Sequence, residues 1–299
     1  MKTILAENLE LSRIIHGHWR LAEWNKSPQE LLQLTEEISA LGITTFDHAD
    51  IYGDYASEQL FGQALALKKE LRNKIQLITK CGIKLISKKY PQRKIKYYDY
   101  SYDHIVDSVN RSLSNLNTDY IDLLLLHRPA PFFDPEEVNR AFNYLKSEGK
   151  VLHFGVSNFN PDEFEMLSSF VDQKLVTNQV EISPYCLENF ENGNMNYFLK
   201  KRIKPMAWSP LAGGKLLNPN DKKSEAIFKA LIEVAKELNI TSISKVIFAW
   251  LVNHPAKILP VVGSGKIERI QYAIDALDVN MSTEQWYKIY TASLGEEVP

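Results

Sequence analysis

Cysteine is almost absent. Cys81 and Cys186 are the only two in 299 residues. Two thiols so far apart make no disulfide framework, which predicts a reducing compartment. Long apolar runs are also missing. No stretch could span a bilayer, and the opening "MKTILAENLELSRII" holds two acids and nothing like a leader. The expectation is a cytoplasmic protein without a membrane partner. Charge of one sign is not in excess: 35 Lys and Arg stand against 37 Asp and Glu, for a net charge of -2. That balance gives no argument for nucleic acid. No Pro/Gly/Ser-rich linker or low-complexity segment divides the chain, so one domain over residues 1–299 is expected. The glycine fingerprint of a doubly wound dinucleotide fold is missing too. The only G-x-G is Gly263-Ser264-Gly265, with no third glycine at the needed spacing and no Walker loop. This weighs against a doubly wound dinucleotide fold.

What is present is a rhythm. Short β-branched or apolar runs recur at 13–19, 44–48, 75–81, 121–127, 151–157, 175–181, 204–209 and 257–263. Helical periodicity fills the gaps, as at 27–41, 56–67, 102–116 and 134–149. Ser27-Pro28 and Asp134-Pro135 are helix starts, and Gly149 is a helix stop. Eight strands alternating with helices predict an α/β fold, a (β/α)8 TIM barrel. Two short alternating runs around Glu7-Asn8 predict a β-hairpin before the first strand. Extra helices are expected after strand 7, over 218–239, and at the C-terminus. A long segment, 83–101, follows strand 3 and is dense in lysine and tyrosine. It is either a solvated surface loop or a functional one.

In such barrels the chemistry sits at the C-terminal strand ends. Strand 1 ends in His16, His18 and Trp19. Strand 2 ends in Asp47, with Asp50 and Tyr52 just beyond. Strand 3 ends in Lys80 and Cys81, strand 4 in His127 and Arg128, strand 5 in Ser157 and Asn158. Strand 6 offers Gln179 and Glu181, strand 7 Trp208 and Ser209, and strand 8 runs into Gly263, Ser264, Gly265 and Lys266. Asp47, Tyr52, Lys80 and His127 make chemical sense together. An ammonium beside a phenol favours the phenolate and lowers its pKa. A carboxylate fixes the Lys, and a His orients a carbonyl oxygen. This combination protonates an oxygen that is becoming an alkoxide. Hydride attack on a carbonyl creates such an oxygen, and side chains supply no hydride, so a nicotinamide cofactor is implied.

The motifs "GITTFDHADIYG", "LITKCGI", "IDLLLLHRP", "HFGVSNF", "NQVEISPY", "AWSPLAGG" and "VVGSGKIERI" occur in that order. Together they make the chain resemble an aldo-keto reductase over essentially its whole length. The resemblance implies an oxidoreductase that reduces aldehyde and ketone carbonyls with NADPH. It puts the catalytic tetrad on Asp47, Tyr52, Lys80 and His127, with Tyr52 as general acid. The nicotinamide carboxamide would meet Ser157, Asn158 and Gln179, and the ring would stack on Trp208. The pyrophosphate loop maps onto Ser209, Pro210, Leu211, Ala212, Gly213 and Gly214, with Lys215 adding charge. The adenosine end maps onto Gly263, Ser264, Gly265, Lys266 and Arg269. Ser264, Lys266 and Arg269 suit a 2'-phosphate, which favours NADPH over NADH.

The chain departs from the family pattern in two places. Tyr272-Ala273 stands where many members have Glu-Asn for the adenine. The tail "TASLGEEVP" is short. An open pocket follows, walled by Trp19, Trp24 and residues 83–101, whose cations would favour an anionic carbonyl substrate. Two other functions compete. His16 and His18 share a strand face and would begin the metal site of a barrel hydrolase. An idle cofactor-sensing subunit is the other. No resident metal is expected, and oligomeric state is not legible.

Overall fold

Short buried strands and well-capped helices alternate along the computed structural model, which describes residues 2–299. The strands β1 (Lys2–Ala6) and β2 (Leu9–Ser12) form the antiparallel hairpin, with Thr3 opposite Leu11. Then follow β3 (Ile15–Gly17), α1 (Pro28–Ala40), β4 (Thr45–Asp47), α2 (Tyr52–Tyr55), α3 (Ser57–Ala66) and β5 (Gln76–Cys81). The segment after β5 holds a small ladder, β6 (Ile83–Lys84) with β7 (Tyr97–Tyr98). The repeat resumes with α4 (Tyr102–Leu116), β8 (Ile121–Leu126), α5 (Pro135–Ser147), β9 (Val151–Ser157), α6 (Pro161–Phe170) and β10 (Leu175–Glu181). The remainder is α7 (Glu188–Glu191), α8 (Asn194–Lys201), β11 (Met206–Trp208), α9 (Lys222–Glu237), α10 (Ile243–Val252), β12 (Leu259–Val262), α11 (Ile267–Asp275) and α12 (Thr283–Leu294).

Eight parallel strands close the barrel in sequence order: β3, β4, β5, β8, β9, β10, β11, β12. This is the (β/α)8 TIM barrel that the sequence rhythm predicts, with the hairpin ahead of it and the extra helices α9 and α12. The chain divides into two compact units, one ending at Asn178 and one spanning Gln179–Pro299.

In the first unit, helix starts explain themselves. Ser27 closes a capping box with Glu30, and Asn160 does so with Glu163, each followed by proline at the first helical position. Every residue of β8 is buried, which is why it reads as a run of four leucines after Ile121 and Asp122. Gly62 is required where α3 meets α4: a Cβ there would lie 1.9 Å from the Asn115 carbonyl oxygen.

Arg72 ties the strand starts together. Its guanidinium donates to Asp122 Oδ2 at 2.7 Å and to the carbonyls of Ile75 at 3.0 Å and Tyr120 at 2.8 Å. It also lies 3.7 Å over the Tyr120 ring. The pair is nearly dry, so removing one partner strands a buried charge. Arg72→Met is expected to lower unfolding free energy by about 3–5 kcal/mol, as for other broken buried pairs. Urea denaturation checks this, and a loss under about 1 kcal/mol would contradict it.

In the second unit, α10 and α12 are joined by stacked indoles. Trp250 and Trp286 lie 4.8 Å apart, and each N–H donates to the other's carbonyl, at 3.1 and 3.0 Å. Lys288 and Gln285 of α12 both reach Glu237 of α9. Among the described residues, no helix is long and apolar enough to cross a membrane.

Candidate active site

β4 ends on Asp47, β5 carries Lys80 one residue from its end, and His127 follows β8. Parallel register sets their levels: Asp47 pairs with Ile78, and Lys80 with Leu125. Tyr52 opens α2, the short turn that follows β4. The structure brings these four together. Lys80 Nζ donates to both Asp47 carboxylate oxygens, at 2.8 and 2.7 Å, to the His48 carbonyl at 2.8 Å, and to Tyr52 Oη at 3.0 Å. The rings of Tyr52 and His127 meet edge to face, with centroids 5.9 Å apart.

Burial governs the electrostatics. It pulls the Lys80 ammonium down most, but Asp47 and Tyr52 outweigh it and hold the pKa above the ordinary lysine value. Lys80 therefore stays charged. For Tyr52 the balance differs from the sequence expectation. Burial raises the phenol more than Lys80 lowers it, so the net direction is up. Tyr52 thus keeps its proton at neutral pH. Its oxygen accepts from the ammonium, which leaves the O–H to donate elsewhere. His127 is pushed well below the ordinary histidine value, first by burial and then by Lys80, Arg128 and Lys96. It is a neutral imidazole, and its Nδ1 is buried without a partner.

The expected cofactor residues of the first unit sit beside this group. Ser157 ends β9 and is buried. Asn158 takes the left-handed φ of 65° and donates to Ser157 Oγ at 2.8 Å and to the His127 carbonyl at 3.2 Å. In the second unit, Gln179 is buried and pairs with Met206, and Trp208 ends β11 opposite Glu181. After Trp208 the backbone turns left-handed at Ser209 (φ 53°), Ala212 (51°), Gly213 (67°) and Gly214 (102°), with Pro210 and Leu211 between. Lys215 reaches Tyr185 Oη at 3.3 Å and Asp221 at 3.4 Å. Gly263, Ser264 and Gly265 link β12 to α11. There the Lys266 N–H donates to Ser264 Oγ at 3.2 Å, and Lys266 and Arg269 are exposed. At the variant adenine positions, Tyr272 donates to Glu268 at 2.8 Å and Ala273 is buried.

Trp19 is 66% exposed at the end of β3. Trp24 instead packs its ring on His16 and His18, at 5.7 and 5.8 Å. Those histidines form a file with one that the sequence left unassigned. His16 Nδ1 meets His18 Nε2 at 3.1 Å, and His18 Nδ1 meets His48 Nε2 at 2.9 Å. Nitrogens bonded in series do not converge on a metal. No cluster of three or more metal-ligating side chains occurs among the described residues. Asp50, also unassigned, is buried and accepts from Ser108 at 2.7 Å.

Comparison with known proteins identifies a family. The profile of the Aldo/keto reductase family matches residues 13–293. The Uncharacterized oxidoreductase YcsN of Bacillus subtilis (strain 168) is 54% identical over 295 residues, covering 99% of this chain and 98% of that protein. A 6-dehydroglucose reductase of Agrobacterium fabrum is 43% identical over 295 residues, covering 98% of each. Among solved structures, an aldo/keto reductase of Klebsiella pneumoniae in complex with NADP and acetate superposes with a TM-score of 0.77 at 25% identity, over 95% of this chain and 92% of that one. With a barrel whose strand ends gather Asp47, Tyr52, Lys80 and His127, and a profile that runs through nearly all of it, this chain belongs to the aldo/keto reductase family.

Proposed function

We propose that the protein reduces a small-molecule aldehyde or ketone to the alcohol with NADPH, and that Tyr52 is the proton donor. The observation that carries this reading is the buried Lys80 ammonium, bonded at once to Asp47 and to Tyr52 Oη. The residues suit the cofactor. Left-handed Gly213 and Gly214 leave their Cβ sides open, nothing lying within 4 Å, as a backbone that cradles phosphate requires. Ser157, Asn158 and Gln179 offer amide-pairing groups, and Trp208 offers a flat face. Lys266 and Arg269 offer cations for a 2'-phosphate.

A nicotinamide held there would supply the hydride, which no side chain can. The chain's own residues do the rest. His127, neutral, orients the carbonyl oxygen by a hydrogen bond. Tyr52 donates its O–H to that oxygen as negative charge develops there. Lys80 stabilises the phenolate left behind, and Asp47 holds Lys80 in place and offsets its charge. Proton transfer within this largely buried group needs little reorganisation of bulk water.

Substrate identity is set by the rim. The Agrobacterium relative is a 6-dehydroglucose reductase, so an oxidised hexose is the first substrate to try, with exposed Trp19 as a stacking face. The anionic-substrate expectation weakens, because Lys84, Lys89 and Arg93 already bond within the protein. The test follows absorbance of NADPH and, separately, NADH with purified protein and a panel of sugar and simple aldehydes. Oxidation of NADPH dependent on an aldehyde is the expected result. Binding of NADPH without turnover across the panel would favour the sensing-subunit reading. Failure to bind any nicotinamide would overturn the cofactor assignment.

A further inference from the structure

We propose that the segment after β5, residues 83–101, is a brace that fixes the spacing of Tyr52 and His127, with Tyr55, Arg93 and Tyr100 as its positioning residues. Only the roles given to Tyr52 and His127 rest on the reductase reading; the brace is a statement about geometry.

One end of the brace grips the turn that carries Tyr52. Gly53, Asp54 and Tyr55 follow Tyr52 in consecutive left-handed conformations, at φ 60°, 52° and 65°. Glycine adopts this region freely and aspartate tolerates it, but a bulky tyrosine there is an outlier. Such a run persists only where its surroundings over-determine it. Here they do. Tyr55 Oη accepts from the Leu85 N–H at 2.9 Å and from Arg93 Nη1 at 2.7 Å. Lys89 Nζ donates to the Tyr55 carbonyl at 3.1 Å. Tyr90 meets the Tyr55 ring edge to face at 4.9 Å, and the Arg93 guanidinium covers Tyr90 at 3.7 Å.

The other end grips the strand end that carries His127. The Tyr100 hydroxyl sits between the backbone groups of Arg128, accepting from its N–H at 3.0 Å and donating to its C=O at 2.5 Å. Tyr100 approaches so closely because position 82 is glycine: a Cβ there would fall 2.0 Å from the Tyr100 ring. Between the two ends, Lys84 pairs with Asp99 at 2.6 Å, and the Asp99 N–H donates to the Gly82 carbonyl at 2.9 Å. One segment is therefore fastened beside the proton donor and beside the histidine that faces it. The barrel strands carry Asp47 and Lys80 within β4 and β5, whereas His127 lies just past β8 and Tyr52 lies beyond β4 on a turn that local preference does not hold. Misplacing a reacting group by an ångström can cost a hundredfold in rate.

The test reads Tyr52 directly. Protein labelled with carbon-13 at tyrosine Cζ is compared by NMR in wild type, Tyr55→Phe and Arg93→Met, with the Tyr52 resonance identified by its loss in Tyr52→Phe. Phe keeps the ring of residue 55 and removes its two hydrogen bonds; Met keeps an apolar stem over Tyr90. The expected result is a shifted and broadened Tyr52 resonance in both variants. With it, kcat/KM should fall about ten- to a hundredfold, while NADPH affinity stays within about twofold. In the Tyr52→Phe background, Tyr55→Phe should cause no further loss of kcat/KM. An unchanged Tyr52 resonance in both variants overturns the brace, and so does a loss of undiminished size in the Tyr52→Phe background. A moved resonance in a protein that reduces no carbonyl leaves the brace standing and removes the reductase reading instead.

Discussion

Tyr52→Phe should lower kcat/KM for carbonyl reduction by about a hundred- to ten-thousandfold, the usual worth of a positioned general acid. That corresponds to about 3–5 kcal/mol of barrier. The variant is clean for a structural reason. Phenylalanine removes one oxygen and leaves Lys80 bonded to both Asp47 oxygens and to the His48 carbonyl. No buried charge loses its counter-ion. Replacing Lys80 would be a poorer experiment, since Asp47, only 2% exposed, would be left as a buried carboxylate without its partner. NADPH affinity should be nearly unchanged in Tyr52→Phe, and so should the urea midpoint. Steady-state kinetics with NADPH and an active aldehyde measures the loss. A variant that keeps more than about a tenth of wild-type kcat/KM would remove Tyr52 from the proton-donor role.

The same cluster shows what the sequence can and cannot say. Asp47, Lys80 and His127 were legible because each stands at or near the end of an apolar run, where a parallel barrel presents its chemistry. Tyr52 was legible through its motif, but its conformation was not. The left-handed run after it is held by Leu85 and Arg93, 30 and 38 residues away from Tyr55. No local propensity encodes such a contact. His16 and His18 read as half of a metal site because strand alternation puts them on one face. The third member, His48, comes from the neighbouring strand end, where His16 pairs with Phe46 and Gly17 with Asp47. Only that register turns an apparent ligand pair into a hydrogen-bonded file. Lys80 does lower the Tyr52 phenol, as the sequence suggests, but burial raises it more. A sequence names the charged neighbour, Lys80, but not how much water burial removes.

Acid should destabilise this fold well before ordinary carboxylates titrate. His18, His48 and His127 are held well below 6.5, in each case chiefly by burial, and His104 is pushed down to about 4. In the unfolded chain each regains a value near 6.5. Between the folded and unfolded values the unfolded state binds more protons, so stability rises with pH there and falls as pH drops below about 6.5. His254 is likewise pushed down to about 4 by burial, and from pH 7.5 to 5.5 each of the two histidines held near 4 costs about 1 kcal/mol, with His18, His48 and His127 acting in the same direction. Asp50 opposes them. Burial raises its carboxyl to about 7, so the folded state takes up a proton that the unfolded chain does not, which returns about 2 kcal/mol over the same interval. Glu58, also raised by burial, acts in the same direction as Asp50 at the acid end. The histidines win by number, and the net expectation is a loss of stability as pH falls. Urea unfolding at pH 7.5 and 5.5 gives the difference. The histidine file supplies the attribution: in His48→Gln the mean pH slope between those values should fall by about half a proton. A stability that is flat or rising as pH drops to 5.5 would mean that His18 and His48 are not buried neutral, and the packing of Trp24 on His18 would need another description.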